Sequence, residues 1–365
     1  MKHFQKIKTP VLLLSESICR QNIKRMSEKT VRNKVKFRPH FKTHGSAEIG
    51  NWFREAGVDA ITVSSIAMAR FFSVNNWNDI TVAFPVNIRE IEDINDLLKR
   101  IRLNLLVENQ EATKCLGKML TGRTGIFLKV DSGYHRSGID PENNKLIEEI
   151  FDLIDKFDHL EFMGFLTHAG HTYKSRCKEE VLRIHEETIR IMGSLKNKYQ
   201  ERYRKLILSV GDTPSCSIAE DFSGVDEIRP GNFVFYDLMQ LHIGSCGYSD
   251  IAVAMACPVV SKHGVRNEIV IYGGAVHFSK EHLISQDGIT FYGLIAEPMK
   301  GGWSHPIEGV WLSSLSQEHG IIKSQNRRFF DQVRVGDFVL VLPVHSCLTA
   351  NLMKKFMLMD GRIIG

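Results

Sequence analysis

The chain has 365 residues, 43% of them apolar and 24% charged, a composition that suits a folded protein of roughly two domains with a sizeable core. Its 47 Lys and Arg against 42 Asp and Glu give a net charge of +5 without a basic block, so neither nucleic acid nor a membrane surface is an expected partner. No apolar run reaches the roughly 18 residues of a spanning helix, the run 11–14 is too short for a signal-peptide core, and the 7 scattered cysteines hold no Cys-x-x-Cys pair, which predicts reduced thiols and a cytoplasmic location.

In chain order, residues 10–14 read as a β run followed by a helix over 17–29. This N-terminal segment, 1–30, is expected to lend its strand to the C-terminal sheet. From Val35 onward, β runs at 35–38, 60–64, 80–84, 103–107, 126–130, 163–167, 206–210 and 227–229 alternate with amphipathic stretches such as 47–56, 90–99, 144–157 and 176–198. Eight strands alternating with helices predict an α/β fold, a (β/α)₈ TIM-type barrel, over 31–240. An open doubly wound sheet shares that alternation, but no Gly-x-Gly-x-x-Gly turn follows the first strand. Beyond Leu241 the runs 251–260, 268–274, 289–295, 309–313, 320–323 and 337–341 are separated by turn residues, which predicts a smaller all-β domain over 241–365.

Chemistry in a barrel sits on the loops after the strands. After the first strand, Pro39-His40-Phe41-Lys42-Thr43-His44 places a lysine between two histidines. A solvated turn is the ordinary reading, but a lysine held among other cations loses proton affinity and becomes an amine able to form a Schiff base. After the fifth strand, Asp131-x-Gly-x-x-Arg136-x-Gly138 brackets an arginine suited to an anionic oxygen, or forms a plain turn with Asp131 as a helix cap. His168-Ala-Gly-His171-Thr-Tyr173 follows the sixth strand; buried, satisfied histidines are the alternative there. Gly211-Asp-Thr213-Pro and Pro230-Gly231-Asn232 follow the seventh and eighth, where barrels often bind phosphate. A reactive lysine, a phosphate cradle and an arginine together suggest pyridoxal 5′-phosphate. In the β domain, His345-x-Cys347 reads as an extended segment with both side chains on one face, able to share an ion such as Zn²⁺, or as a buried cysteine beside a hydrogen-bonded histidine. Glu318-His319 faces the same cleft or forms a turn.

On these motifs the sequence resembles the D-threonine aldolase / D-serine dehydratase family of fold-type III, alanine-racemase-like pyridoxal-phosphate enzymes. The resemblance spans nearly the whole chain. It implies that Lys42 carries the cofactor, with His40 and His168 beside it, Tyr173 as its aromatic partner and Thr213, Gly231 and Asn232 at its phosphate. It also implies that Arg136 lies near the ring oxygen or the substrate, and that His345 and Cys347 hold a catalytic divalent metal. Cys347 favours zinc over harder ions, with Lys42 and His345 as the catalytic groups. The chain departs from the family pattern at Gly45, where a basic residue is common, and over 273–279. The implied reaction is dehydration of a small D-hydroxy amino acid, D-serine or D-threonine, to a 2-oxo acid and ammonia. Retro-aldol cleavage to glycine and an aldehyde is the nearest alternative. Racemisation and a non-catalytic cofactor carrier follow, and a barrel hydrolase would need more His and Asp ligands at strand ends. A homodimer is the assembly the resemblance implies.

Overall fold

A computed structural model describes residues 4–365. The chain forms two compact units, one made of 25–42 with 50–231 and the other of residues up to 24 with 43–49 and 232–365. It opens with β1 (Val11–Leu14) and α1 (Glu16–Asn33).

The barrel unit holds eight parallel strands: β2 (Lys36–Phe37), β3 (Ile61–Val63), β4 (Asp79–Pro85), β5 (Arg102–Val107), β6 (Thr124–Lys129), β7 (Leu160–Leu166), β8 (Ile207–Val210) and β9 (Glu227–Ile228). Their order is β2-β9-β8-β7-β6-β5-β4-β3, and a parallel bridge between His40 and Thr62 joins the two ends. The expected barrel is therefore present. Its first strand is only two residues long because Pro39 has no N–H for the ladder. The pairing resumes past it, where Phe41 N–H donates to the Thr62 carbonyl at 2.9 Å. Helices α2 (Ala47–Glu55), α3 (Ile66–Val74), α4 (Ile91–Leu98), α5 (Gln110–Met119), α6 (Asn144–Ile154), α7 (Lys178–Tyr199) and α8 (Thr213–Ile218) alternate with the strands. Ser65, Asn109, Asn143 and Asp212 cap four of them, each accepting a backbone N–H three residues on. Such caps each contribute about 1 kcal/mol.

The barrel interior is only partly apolar. Leu106, Phe127, Met163 and Leu166 pack together in it. Asn104 donates to Thr81 Oγ1 at 3.0 Å, in space that a side chain at Gly125 would close, since its Cβ would lie 2.2 Å from Asn104 Oδ1. A charged set is also buried: Arg38 donates to Glu227 at 2.5 Å and to Asp79 at 2.6 Å, while Ser209 donates to Glu227 at 2.7 Å and accepts from Arg229 at 2.6 Å. Every charge in this set has a partner, as burial requires.

The second unit contains β10 (Val253–His263), β11 (Glu268–Tyr272), β12 (Leu283–Ile284), β13 (Thr290–Phe291), β14 (Gly293–Ala296), β15 (Pro298–Met299), β16 (Gly302–Trp303), β17 (Val310–Leu315), β18 (His319–Ser324), β19 (Phe338–Pro343), β20 (Phe356–Leu358) and β21 (Ile363–Ile364). Strands β10, β11, β18, β17, β14 and β19 form a closed antiparallel ring, because β10 pairs with both β11 and β19. Two pairs, β12–β13 and β15–β16, are separate ribbons. Strand β1 extends the main sheet, antiparallel to β10 with Leu13 opposite Ala254 and parallel to β20 with Leu13 opposite Met357. The run expected at 251–260 continues to His263 across a bulge between Val259 and Ser261, and the run at 289–295 divides at Tyr292 into β13 and β14. Short helices α9 (Leu238–Ile243), α10 (Ala275–Phe278), α11 (Arg327–Gln332) and α12 (Ser346–Met353) complete this unit.

Candidate active site

Five barrel strands that are neighbours in the ring, β6, β7, β8, β9 and β2, send their C-terminal loops to one arc of its rim. Those loops carry Arg136, His168, Tyr173, Thr213, Gly231, His40 and Lys42. Lys42 is exposed in the turn after β2, and its N–H donates to His40 Nδ1 at 3.3 Å. His40 N–H in turn donates at 2.9 Å to the carbonyl of Pro230, the residue before Gly231. His168 donates its Nδ1 proton to the Gly211 carbonyl at 2.7 Å. Burial, with Lys42, Lys129 and Arg136 nearby, pushes this ring far below the usual histidine range against the pull of the Gly211 bond, so it is neutral with Nε2 as an acceptor. Thr213 opens α8, and its N–H donates to the Tyr173 hydroxyl at 3.3 Å. Gly211 lets the ends of β8 and β9 approach closely, since a Cβ there would meet Arg229 N at 2.6 Å.

The loop after β6 is fixed at both ends. Asp131 accepts three backbone N–H bonds at 3.0 Å, from Gly133, Tyr134 and His135, and Glu108 accepts from Gly138 N–H at 2.7 Å. Burial works against the Asp131 carboxylate, but those N–H bonds hold it below the ordinary range. Asp131 thus organises a loop rather than capping a helix. Gly138 has φ +112° and a Cβ there would meet the Asp131 N at 2.6 Å, so the second glycine of the motif is required. Arg136 is exposed with its guanidinium 4.9 Å above the Tyr134 ring, a stacked position that keeps its charge at the rim.

Two corrections concern charge and register. The histidines around Lys42 do not act as two cations. His44 is buried, accepts the Ser46 N–H at 3.1 Å, and burial pushes it down to about 3. His345 and Cys347 do not lie in an extended segment; His345 is the N-cap of α12 and Cys347 belongs to its first turn. They are nonetheless hydrogen-bonded. Burial opposes charge on both, but the bond to Cys347 and its charge, helped by Asp237, raise His345 to about 9, while His345 and then Thr43 lower the Cys347 thiol. Each partner thus favours the charged form of the other, and a metal would take the imidazole in its neutral form with release of that proton. A soft divalent cation fits the pair, since the thiolate is the metal-binding form. No group of three or more His, Cys, Asp or Glu that could hold a metal occurs among the described residues. His319 lies exposed in β18, and Glu318 stands 4.0 Å from His277, so these two do not join the pair.

Sequence reasoning missed three participants. Lys129 ends β6 in the same register as the interior Phe127, and burial with repulsion from Arg229 and Arg136 lowers it to about 7. Its signal was the two-residue period of the strand. Asp237 is fully buried and accepts from Asn232 at 2.7 Å and from Ser346 N–H at 2.9 Å. Thr43 Oγ1 lies 3.3 Å from Cys347 Sγ. A phosphorylated cofactor fits the rim, where the first turn of α8, the Tyr173 hydroxyl and the neutral His168 ring converge on adjacent loops.

A closed parallel barrel with its polar groups on one arc, joined in sequence to an antiparallel β unit, defines the alanine-racemase-like architecture. The chain belongs to the alanine racemase N-terminal domain family, whose model matches residues 15–238, and a serine dehydratase domain model matches 252–359. D-serine dehydratase of Dictyostelium discoideum is 29% identical over 391 residues, covering 98% of this chain and 95% of that protein. D-threo-3-hydroxyaspartate dehydratase of Delftia sp. strain HT23 is 26% identical, covering 93% and 91%. A solved D-threo-3-hydroxyaspartate dehydratase, a cysteine-to-alanine variant in the metal-free form, shares the fold with a TM-score of 0.90 at 24% identity, covering 99% and 97%.

Proposed function

We propose that the chain is a pyridoxal-phosphate- and metal-dependent lyase that dehydrates a small D-hydroxy amino acid, such as D-serine, to a 2-oxo acid and ammonia. The observation that carries this reading is the half-buried, hydrogen-bonded His345–Cys347 pair. Thr43, the residue after Lys42 in the sequence, lies 3.3 Å from Cys347 Sγ. Racemisation has no use for such a pair, whereas loss of a β-hydroxyl does. The likeness to D-serine dehydratase and D-threo-3-hydroxyaspartate dehydratase supports the same substrate class.

When bound, pyridoxal phosphate supplies a ring that takes up charge from the substrate Cα, and a divalent ion, proposed as Zn²⁺, supplies Lewis acidity toward the β-hydroxyl. The protein's own groups do the rest. The Lys42 amine, on a flexible stem at the rim, removes the Cα proton. His168, held by Gly211, would offer its neutral ring to the cofactor. The α8 N–H groups, the Tyr173 hydroxyl and the Gly231 backbone would hold the phosphate, with His40 fixed between Lys42 and Pro230. Arg136 keeps its positive charge near the substrate's anionic oxygen. His345 and Cys347 hold the metal.

The test is turnover of D-serine by cofactor-loaded protein before and after chelation. Pyruvate and ammonia form, chelation abolishes them, and zinc restores them better than magnesium; turnover indifferent to chelation would remove the metal from the reaction. Among the described residues no helix is long and apolar enough to cross a membrane. The family resemblance extends the proposal to a cytoplasmic homodimer, which sedimentation at twice the 41.5 kDa chain mass checks.

A further inference from the structure

Asn232 falls in the Pro-Gly-Asn motif whose sequence context assigns it to the phosphate, but its side chain is engaged elsewhere. The amide nitrogen lies 2.7 Å from Asp237 Oδ2, 3.1 Å from Ser346 Oγ and 3.3 Å from Cys347 Sγ. A carboxylate can only accept, so the Asp237 contact fixes the amide with its NH₂ toward these three groups. The amide has two N–H donors, so one serves Asp237 and the other is shared between Cys347 Sγ and Ser346 Oγ, which spends its own proton on Asp237 at 3.1 Å. Asp237 is itself anchored, since its other oxygen accepts the Gln240 N–H at 2.9 Å at the start of α9. The Ser346 N–H, unserved by its own N-cap His345, also donates to Asp237. The Thr43 hydroxyl, 3.3 Å from the sulfur, can donate to it as well when the sulfur is a thiolate.

We infer that Asn232 and Thr43 are positioning residues for the metal site: their side chains donate to the Cys347 sulfur and fix its orientation, with Asp237 holding Asn232 in place. This rests on the proposed metal role of Cys347. Hydrogen bonds to a metal-bound thiolate orient the ligand and stabilise its lone pairs, and removing such partners typically lowers metal affinity by about 10- to 100-fold.

The experiment measures Zn²⁺ affinity by chelator competition and pyridoxal-phosphate affinity by titration of its visible band, in wild type, Asn232→Leu, Thr43→Val and Thr43→Ser. Expected are a roughly tenfold or greater loss of zinc affinity in N232L and T43V, cofactor affinity within twofold of wild type, and recovery in T43S, which keeps the hydroxyl. With Co²⁺ in place of zinc, the sulfur-to-cobalt absorption moves to longer wavelength in N232L and T43V, because an unbonded sulfur holds its electrons less tightly. Unchanged zinc affinity and cobalt spectrum, with weakened cofactor binding in N232L, would return Asn232 to the phosphate and overturn the inference. If N232L does not fold, the T43V and T43S pair decides alone. Wild-type protein that binds no zinc would instead overturn the metal assignment itself.

Discussion

The barrel unit and the β unit handle buried charge in different ways. In the barrel, ionised side chains run through the interior, with Arg38, Asp79, Glu227 and Arg229 linked through Ser209. In the β unit the main strands bury aliphatic residues, including Leu12, Leu13, Leu14, Val253, Leu340, Val341 and Leu342, and Asp237, Asn232 and Ser346 form a buried polar knot beside the half-buried His345 and Cys347. The difference teaches where function can be altered cheaply. The barrel's charges pair with one another, with Asp79 and Glu227 at the N-terminal ends of β4 and β9, whereas the proposed reactive group, Lys42, is exposed on a C-terminal loop. The knot in the β unit is both the polar core of its unit and the support of the proposed metal site.

Four substitutions sharpen or break this contrast. Lys42→Ala has the largest effect: it removes the visible band of bound cofactor and lowers turnover about a thousandfold, while the denaturation midpoint stays near wild type because the side chain is exposed. Cys347→Ala lowers metal-dependent turnover about a hundredfold and leaves the cofactor band in place, as absorption and metal analysis would show. Glu227→Ala strands Arg38 and Ser209 in the barrel and costs about 3–5 kcal/mol in chemical denaturation. A loss below about 1 kcal/mol would mean that the interior charges are solvated and the contrast is false.

Lys129→Met acts in the opposite direction and depends on pH. Lys129 has a folded value of about 7 against 10.5 unperturbed, so between those values the unfolded chain holds a proton the folded chain lacks. Wild-type stability from this group therefore rises with pH across that window, and below about 7 the buried charge is borne in full. K129M is accordingly more stable than wild type at pH 6, by up to about 5 kcal/mol, with an advantage that fades toward pH 10. Parallel stability curves would show that folding leaves the Lys129 proton affinity unchanged.

Much of this was legible in the sequence, for identifiable reasons. The eight barrel strands announce themselves as apolar runs bounded by turn residues, and reading their ends located Lys42, His168, Tyr173 and Thr213 on adjacent loops. The closed ring in the β unit was not legible, since closure depends on β10 serving two neighbours, one of them across a bulge. The His345–Cys347 pair was found with the wrong local geometry. Ser346 N–H is served by Asp237, more than a hundred residues earlier, which lets a helix begin at a histidine that cannot cap it. Asn232 was read by its neighbours in sequence, whereas its partners lie in two other segments. Lys129 went unnoticed because a lone lysine in a strand carries no motif; only the register with Phe127 turns it inward.

Product analysis after incubating cofactor-loaded protein with D-threonine and zinc tests the central claim most directly. Dehydration gives 2-oxobutanoate and ammonia, which is the result expected here. Glycine with acetaldehyde would show that the Cα–Cβ bond breaks instead, and L-allo-threonine would show racemisation; either would contradict the dehydratase reading.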